Sequence, residues 1–283
     1  MAQEPDVWTE VIKPQTNWFN FHLKEVWRYR DLLMLFVRRD FVSVYKQTIL
    51  GPLWYLVQAL LTTITYTIIF GRVAKLPTDG IPQSLFYMAG IVCWGYFSTC
   101  LTKTSNTFVN NAGIFGKVYF PRLTVPVSIV ISNLVSFGIQ LLMFFGFMVY
   151  FYFQGMPVRL NTTLFLFPLL ILLMAGMGLG LGIIISSLTT KYRDLQYLVT
   201  FAVQLLMYAT PVIFPLSFFG GTLRTLVLLN PMTSIVESFK YAFLGSGTFS
   251  WLYLGYSAAF TLVVLLAGIV LFNRIERNFM DTV

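Results

Sequence analysis

The chain has 283 residues, 57% of them hydrophobic and only 11% charged, with a formal net charge of +8. Soluble globular chains carry about 25% charged residues, so a water-soluble fold is excluded and an all-α integral membrane protein is expected. The basic excess is accounted for by residues flanking apolar runs, so nucleic acid is not expected among the partners.

Residues 1–46 form a polar N-terminal region. Within it, 17–31 (NWFNFHLKEVWRYRD) has helical spacing, with Asn20, Lys24, Arg28 and Asp31 in a polar stripe. Aromatic residues beside basic ones suit an amphipathic helix lying in the membrane interface. A helix docked elsewhere on the chain has the same pattern. Arg38, Arg39 and Lys46 then lead to the first apolar run. With Arg28 and Arg30 they are candidates to meet an anionic lipid headgroup, such as a pyrophosphate. The same charges would also orient the first span.

Six charge-free runs follow, at 47–71, 80–102, 123–158, 160–190, 195–223 and 241–273. Each is long enough for a helix crossing a hydrocarbon core of about 30 Å, which takes about 20 residues. Runs such as LLMFFGFMVYFYF do not alternate, so a strand barrel is excluded. The expected spans are about 47–71, 82–104, 123–152, 163–188, 195–215 and 250–273, with a tail at 274–283. The transmembrane domain as a whole is 47–273. The first run begins too late for an ordinary secretory signal peptide. With six spans both termini share one side, and that side carries 14 of the 19 Lys and Arg residues. Both termini are therefore expected to be cytoplasmic.

On that side, between spans two and three, 103–122 (KTSNTFVNNAGIFGKVYFPR) carries Phe108, Ile114, Phe115, Val118, Tyr119 and Phe120. So much apolar surface in a short loop calls for a partner, either another chain or the protein itself. Span four contains MAGMGLGLG, whose glycines four apart allow close helix approach. Between spans five and six, 217–246 has short apolar pieces broken at Asn230-Pro231 and Gly245. A re-entrant helical hairpin fits that pattern.

Spans one, two and five carry Tyr55, Tyr66, Trp94, Tyr96, Phe97 and Tyr208 among many hydroxyls. Aromatic faces and hydroxyls can escort a sugar polymer; interfacial belts and helix packing use the same residues. Cys93 and Cys100 lie two helical turns apart on one span, about 10 Å by helical rise, and are expected to be free thiols. His22 is the only histidine, which excludes a histidine metal cluster. No GxxxxGK[ST] phosphate loop occurs, so the chain is not its own P-loop ATPase. No catalytic residues, metal ligands or cofactor site are expected.

Taken together, RRDFVSVYKQTILGPLWYLVQ, GIFGKVYFPRLTVPVS, KYRDLQY, TPVIFP and LNPMTSIVESFKYAFLG resemble the permease subunits of polysaccharide-exporting ABC transporters, the O-antigen, capsule and teichoic-acid group. The alanine in VQALL stands where many relatives are expected to have proline. The resemblance implies a homodimer with a channel between subunits, paired with two copies of a cytoplasmic ATPase subunit that binds ATP and Mg. The segment Ile114, Phe115, Gly116, Lys117, Val118, Tyr119, Phe120, Pro121 and Arg122 matches the family's coupling helix. Tyr192, Arg193 and Asp194 match a second, smaller contact. The implied cargo is a glycan on undecaprenyl pyrophosphate, and the implied location is a bacterial inner membrane. Another cargo on the same architecture (teichoic acid, capsule, glycolipid or drug) is the alternative, as is a scaffold or channel not coupled to ATP.

Overall fold

The computed structural model describes residues 23–46, 48–118, 120–156, 161–190, 192 and 194–282, with side chains at all of these except 23, 24, 44, 45 and 276–282. Among them there are helices and turns and no strand. Helices α1 (Leu23–Arg28) and α2 (Arg30–Tyr45) precede α3 (Leu53–Tyr66), which continues without a break through a wider, π-type turn over Thr67–Val73. There follow α4 (Gln83–Ser105), α5 (Thr107–Phe115), α6 (Thr124–Phe153), α7 (Phe167–Thr189), α8 (Leu195–Tyr208), α9 (Gly221–Leu229), α10 (Pro231–Leu244) and α11 (Trp251–Thr282). Short 3₁₀ turns lead into α7 at Thr162–Leu166 and into the segment before α9 at Leu216–Phe218.

Five helices are long and apolar enough to cross a membrane: Leu53–Val73, Gln83–Ser105, Thr124–Phe153, Thr162–Thr189 and Trp251–Ile275. The chain is a multi-pass membrane protein. Where a fifth span over 195–215 was expected, α8 has 14 residues and ends at Tyr208. That is about 21 Å at 1.5 Å per residue, short of a ~30 Å hydrocarbon core. The cause is local. Pro211 has no N–H to continue the ladder and disfavours a helical residue before it, and Pro215 follows one turn later.

Helix α4 is the axis of the bundle, packed against α3, α6, α7 and α10 and buried over most of its length. The glycines of α7 explain how two helices come so close on either side of it. A Cβ at Gly178 would lie 2.8 Å from Cys100 Cβ, and one at Gly182 would lie 2.6 Å from Thr104 Cβ, both on α4. On the opposite face, a Cβ at Gly176 would meet Thr261, and one at Gly180 would lie 2.9 Å from the Leu265 nitrogen, both on α11. Two small-residue pairs spaced by four thus let α7 sit between α4 and α11 within one chain. Cys93 and Cys100 are free and buried.

The two ends of the bundle differ. At the basic end, α1, α2, α5, the start of α6 and the end of α11 share an apolar cluster that includes Leu33, Phe36, Phe108, Phe115, Phe120 and Phe272. At the other end, α9 and α10 form a helical hairpin over the segment expected at 217–246. Asn230 caps α10 by accepting from the Met232 N–H at 3.0 Å, and Pro231 occupies its first turn. The same Asn230 donates to Thr210 Oγ1 at 2.8 Å, tying the hairpin to the end of α8. Gly245 closes α10 with a φ of 68°, a left-handed conformation that suits glycine. Helix α10 is buried through most of its length, whereas α9 has no buried residue.

Candidate functional site

A polar cleft opens between three of the apolar spans. Its larger lobe, about 660 Å³, is lined by α2, α3, α4, α5 and α6 near the basic end. Its smaller lobe, about 370 Å³, continues along α3, α4 and α6. Tyr55, Lys103 and Ser136 line both. The cleft comes from polar residues at helical spacing inside runs that are otherwise apolar. Tyr55, Gln58 and Thr62 share a face of α3, and Thr99, Thr102 and Lys103 a face of α4, with Asn106 at its end. Asn133, Ser136 and Gln140 share a face of α6. Several hydroxyls return their proton to their own helix, Thr62 to Gln58 O and Thr102 to Ser98 O among them. That leaves oxygen lone pairs directed at the cleft.

Lys103 Nζ donates to Asn133 Oδ1 at 2.9 Å. Asn133 is itself buried, and its amide nitrogen faces Cys100 Sγ. Across the lobe, the exposed Arg39 pairs with Asp40, with Nη2 to Oδ1 at 2.8 Å, and its guanidinium also lies 4.8 Å from the centre of the Phe36 ring.

Of the aromatic residues expected to line a glycan path, the fold brings Tyr55 and Tyr96 to the cleft. The Tyr96 hydroxyl donates to Val130 O at 3.4 Å. Trp94 and Phe97 are instead buried, their rings 5.3 Å apart. Tyr66 packs edge-on to Phe70 and Tyr87 and donates to Met207 Sδ. Tyr208 is exposed at the end of α8. None of these four lines the cleft.

The basic residues Arg28, Arg30, Arg38, Arg39 and Lys46 are all exposed. Arg30, Arg38 and Arg39 lie on α2, which is a longer helix than the one expected over 17–31; residues 17–22 lie outside the described residues. Leu33 and Phe36 turn inward, while Trp27, Met34, Leu35 and Phe41 remain exposed beside the charges. That arrangement suits a helix at headgroup depth.

The segment expected to meet a partner divides into two sets. The helix runs over Thr107–Phe115 and gives way to turns after Gly116, so it lies earlier than 114–122. Phe115 and Phe120 point inward, 5.8 Å apart, with Phe120 also 5.7 Å from Phe36. Arg122 lies over the Phe115 ring, and Pro121 is half-buried. Ile114, Gly116, Lys117 and Val118 are exposed, Val118 at 58%. Tyr192 and Asp194 are exposed too, whereas Tyr119 and Arg193 lie outside the described residues.

Two buried charges stand at the hairpin end. Lys240 Nζ donates to Pro211 O, in the break after α8, and sits 3.4 Å from the centre of the Phe86 ring. Glu237 Oε2 accepts from the Thr248 N–H at 2.9 Å and from its hydroxyl at 3.3 Å. Burial pushes the Glu237 carboxyl up, with Lys240 and the Thr248 donors opposing, and pushes the Lys240 ammonium down, with Glu237 opposing. Glu237→Gln keeps an oxygen that can accept both bonds and is expected to unfold within about 1 kcal/mol of wild type. Glu237→Leu orphans the Thr248 N–H and is expected to cost about 1–3 kcal/mol. Denaturant unfolding in detergent checks the pair, and equal stabilities would remove this role.

Residues 31–244 match the model of the ABC-2 type transporter family. The chain is 27% identical over 253 residues to an O-antigen export system permease protein RfbA of Klebsiella pneumoniae, covering 89% of this chain and 94% of that one. It is 30% identical over 225 residues to the O-antigen export system permease protein RfbA of Myxococcus xanthus, covering 78% and 83%. With its family match spanning most of its length, the chain belongs to the ABC-2 type transporter family.

Proposed function

We propose that this chain is the channel-forming permease subunit of an ATP-driven exporter of lipid-linked polysaccharide of the O-antigen type. Family membership implies a partner ABC ATPase subunit, and in this reading two copies of it bind ATP and Mg while two copies of this chain form the path. The observation that carries the transport reading is the polar cleft between α3, α4 and α6, because polar side chains are costly among membrane spans and mark substrate pathways. The O-antigen cargo follows the relatives' names. The cargo would carry undecaprenyl pyrophosphate, with Arg38 and Arg39 meeting the headgroup.

In this reading α8 and the broken segment 209–218 make the sixth crossing, and α9–α10 is a re-entrant hairpin on the outer side. Both termini face the cytoplasm of a bacterial inner membrane, on the strength of the Lys and Arg distribution. The exposed Ile114, Gly116, Lys117 and Val118 form the main contact with the ATPase, and Tyr192 and Asp194 a smaller one.

The deciding experiment purifies the complex through this chain and measures ATP hydrolysis with and without lipid-linked glycan. A copurifying ATPase stimulated by the glycan, with glycan accumulating inside cells that lack the chain, supports the reading. Stimulation by a drug or glycolipid instead would reassign the cargo, and absence of any ATPase partner would overturn the coupling. The double substitution Arg38→Ala with Arg39→Ala is expected to lower export at least several-fold in a glycan surface assay while the complex still assembles. Unchanged export would remove the headgroup role.

A further inference from the structure

The charges of the larger lobe are unevenly matched. Arg39 is paired with Asp40, the one carboxylate among the described residues that line that lobe. Lys103 instead donates to a neutral amide oxygen at 2.9 Å; among the described residues it makes no direct ion pair, and Asp40 acts on it only at longer range. An ammonium has three N–H donors, so the bond to Asn133 leaves capacity for a further acceptor. Asn106, Asn110 and Ser132 line the same lobe, whose volume is within the range of about 300–1,000 Å³ common for ligand sites. Among the described residues the adjoining lobe has no charged lining residue except Lys103 itself and offers Gln58, Thr62, Ser98, Thr99 and Gln140. The cleft therefore has a cationic part and a neutral part rich in amides and hydroxyls, joined at Lys103.

We infer that this cleft binds a sugar carrying a phosphoryl group, with the phosphoryl oxygens at Lys103 and Asn110 and the sugar against Gln140 and Thr99. The inference rests on the transport reading for its cargo class. A compact ammonium with rotatable donors suits a phosphoryl group as a point charge. Amide and hydroxyl side chains offer both donors and acceptors to sugar hydroxyls. Asp40 disfavours an anion in the same lobe; Arg39 binds the Asp40 carboxylate, whose charge also acts on Lys103 at longer range.

The test uses the permease copurified with its ATPase subunit in neutral detergent. Three probes are compared: an undecaprenyl-pyrophosphate-linked monosaccharide, undecaprenyl pyrophosphate without sugar, and the free monosaccharide 1-phosphate. Lys103→Met should weaken binding of the linked sugar at least tenfold, and Lys103→Arg should restore most of it. Gln140→Leu should weaken the sugar-bearing probes and leave undecaprenyl pyrophosphate unaffected. Asn133→Asp separates a binding role from a structural one. It gives Lys103 a carboxylate partner, so it should keep or raise thermal stability while weakening anion binding. Competition by the free sugar phosphate would assign the site to soluble phosphosugars, and binding of the linked probe alone would assign it to the lipid-linked form. Unchanged binding in both Lys103→Met and Asn133→Asp overturns the site. If cells producing the wild-type and variant chains still export glycan, the transport reading survives that result. Equal effects of Gln140→Leu on all probes overturn the orientation.

Discussion

Gly182→Leu is expected to cost the protein about 3 kcal/mol or more and to leave little folded material in the membrane. Overpacking a well-filled core typically costs about 1–3 kcal/mol, and more where nothing can yield. Here nothing can. The first added carbon would stand 2.6 Å from Thr104 Cβ and 3.1 Å from the Leu101 carbonyl oxygen, and both belong to the buried axis helix α4. Gly146→Leu is the matched control, because beyond its chain neighbours and its own helix backbone no heavy atom lies within 4 Å of a Cβ there. Thermal unfolding of the two variants in the same detergent should separate them clearly. A wild-type midpoint for Gly182→Leu would refute the close α4–α7 crossing.

The second large effect divides neighbours in one short stretch. Phe120→Ala should destabilise the chain by about 3–5 kcal/mol, the usual cost of emptying a buried aromatic site. Its ring joins α2 to the segment after α5 through Phe36 and Phe115. Ile114→Ser with Val118→Ser should leave the melting midpoint near wild type, since both side chains are exposed. That pair should instead weaken association with the ATPase subunit by roughly thirtyfold, the size of an interface hot spot. Thermal stability and copurification measured on the same preparations check both arms. A stable Phe120→Ala that loses its ATPase would place that ring on the partner surface instead.

These two cases also show what the chain's pattern could reveal. The spans were legible because charge is so costly in hydrocarbon that its absence alone outlines them. The glycine row of span four was legible as close packing, but not which faces it served, because both spacings fall within MAGMGLGLG. The break after α8 was written in Pro211 and Pro215, though the absence of charge ran on past it to residue 223. Trp94 and Phe97 illustrate the opposite limit. Helix α4 is enclosed on nearly all sides, so no periodicity distinguishes a core ring from a wall ring. Lys103, Asn133 and Gln140 were each visible as polar residues in or beside apolar runs. Their meeting depended on the packing of α4 against α6, which no single run encodes.

The widened turn at Thr67–Val73 carries a consequence for mapping the first span. Ala74 donates to Ile69 O, five residues back, and the Gln83 side chain donates to Gly71 O at 3.0 Å, where a Cβ would collide with it. A turn that closes on the fifth residue holds more residues than an ordinary one. Beyond Thr67 the compass bearing of each side chain therefore lags that of a regular helix. A wheel drawn for the whole of span one would point its last two turns the wrong way. Labelling of single cysteines along the first span should show its periodic protection slip out of phase at Thr67, so that the facing of positions in its last third must be assigned on its own.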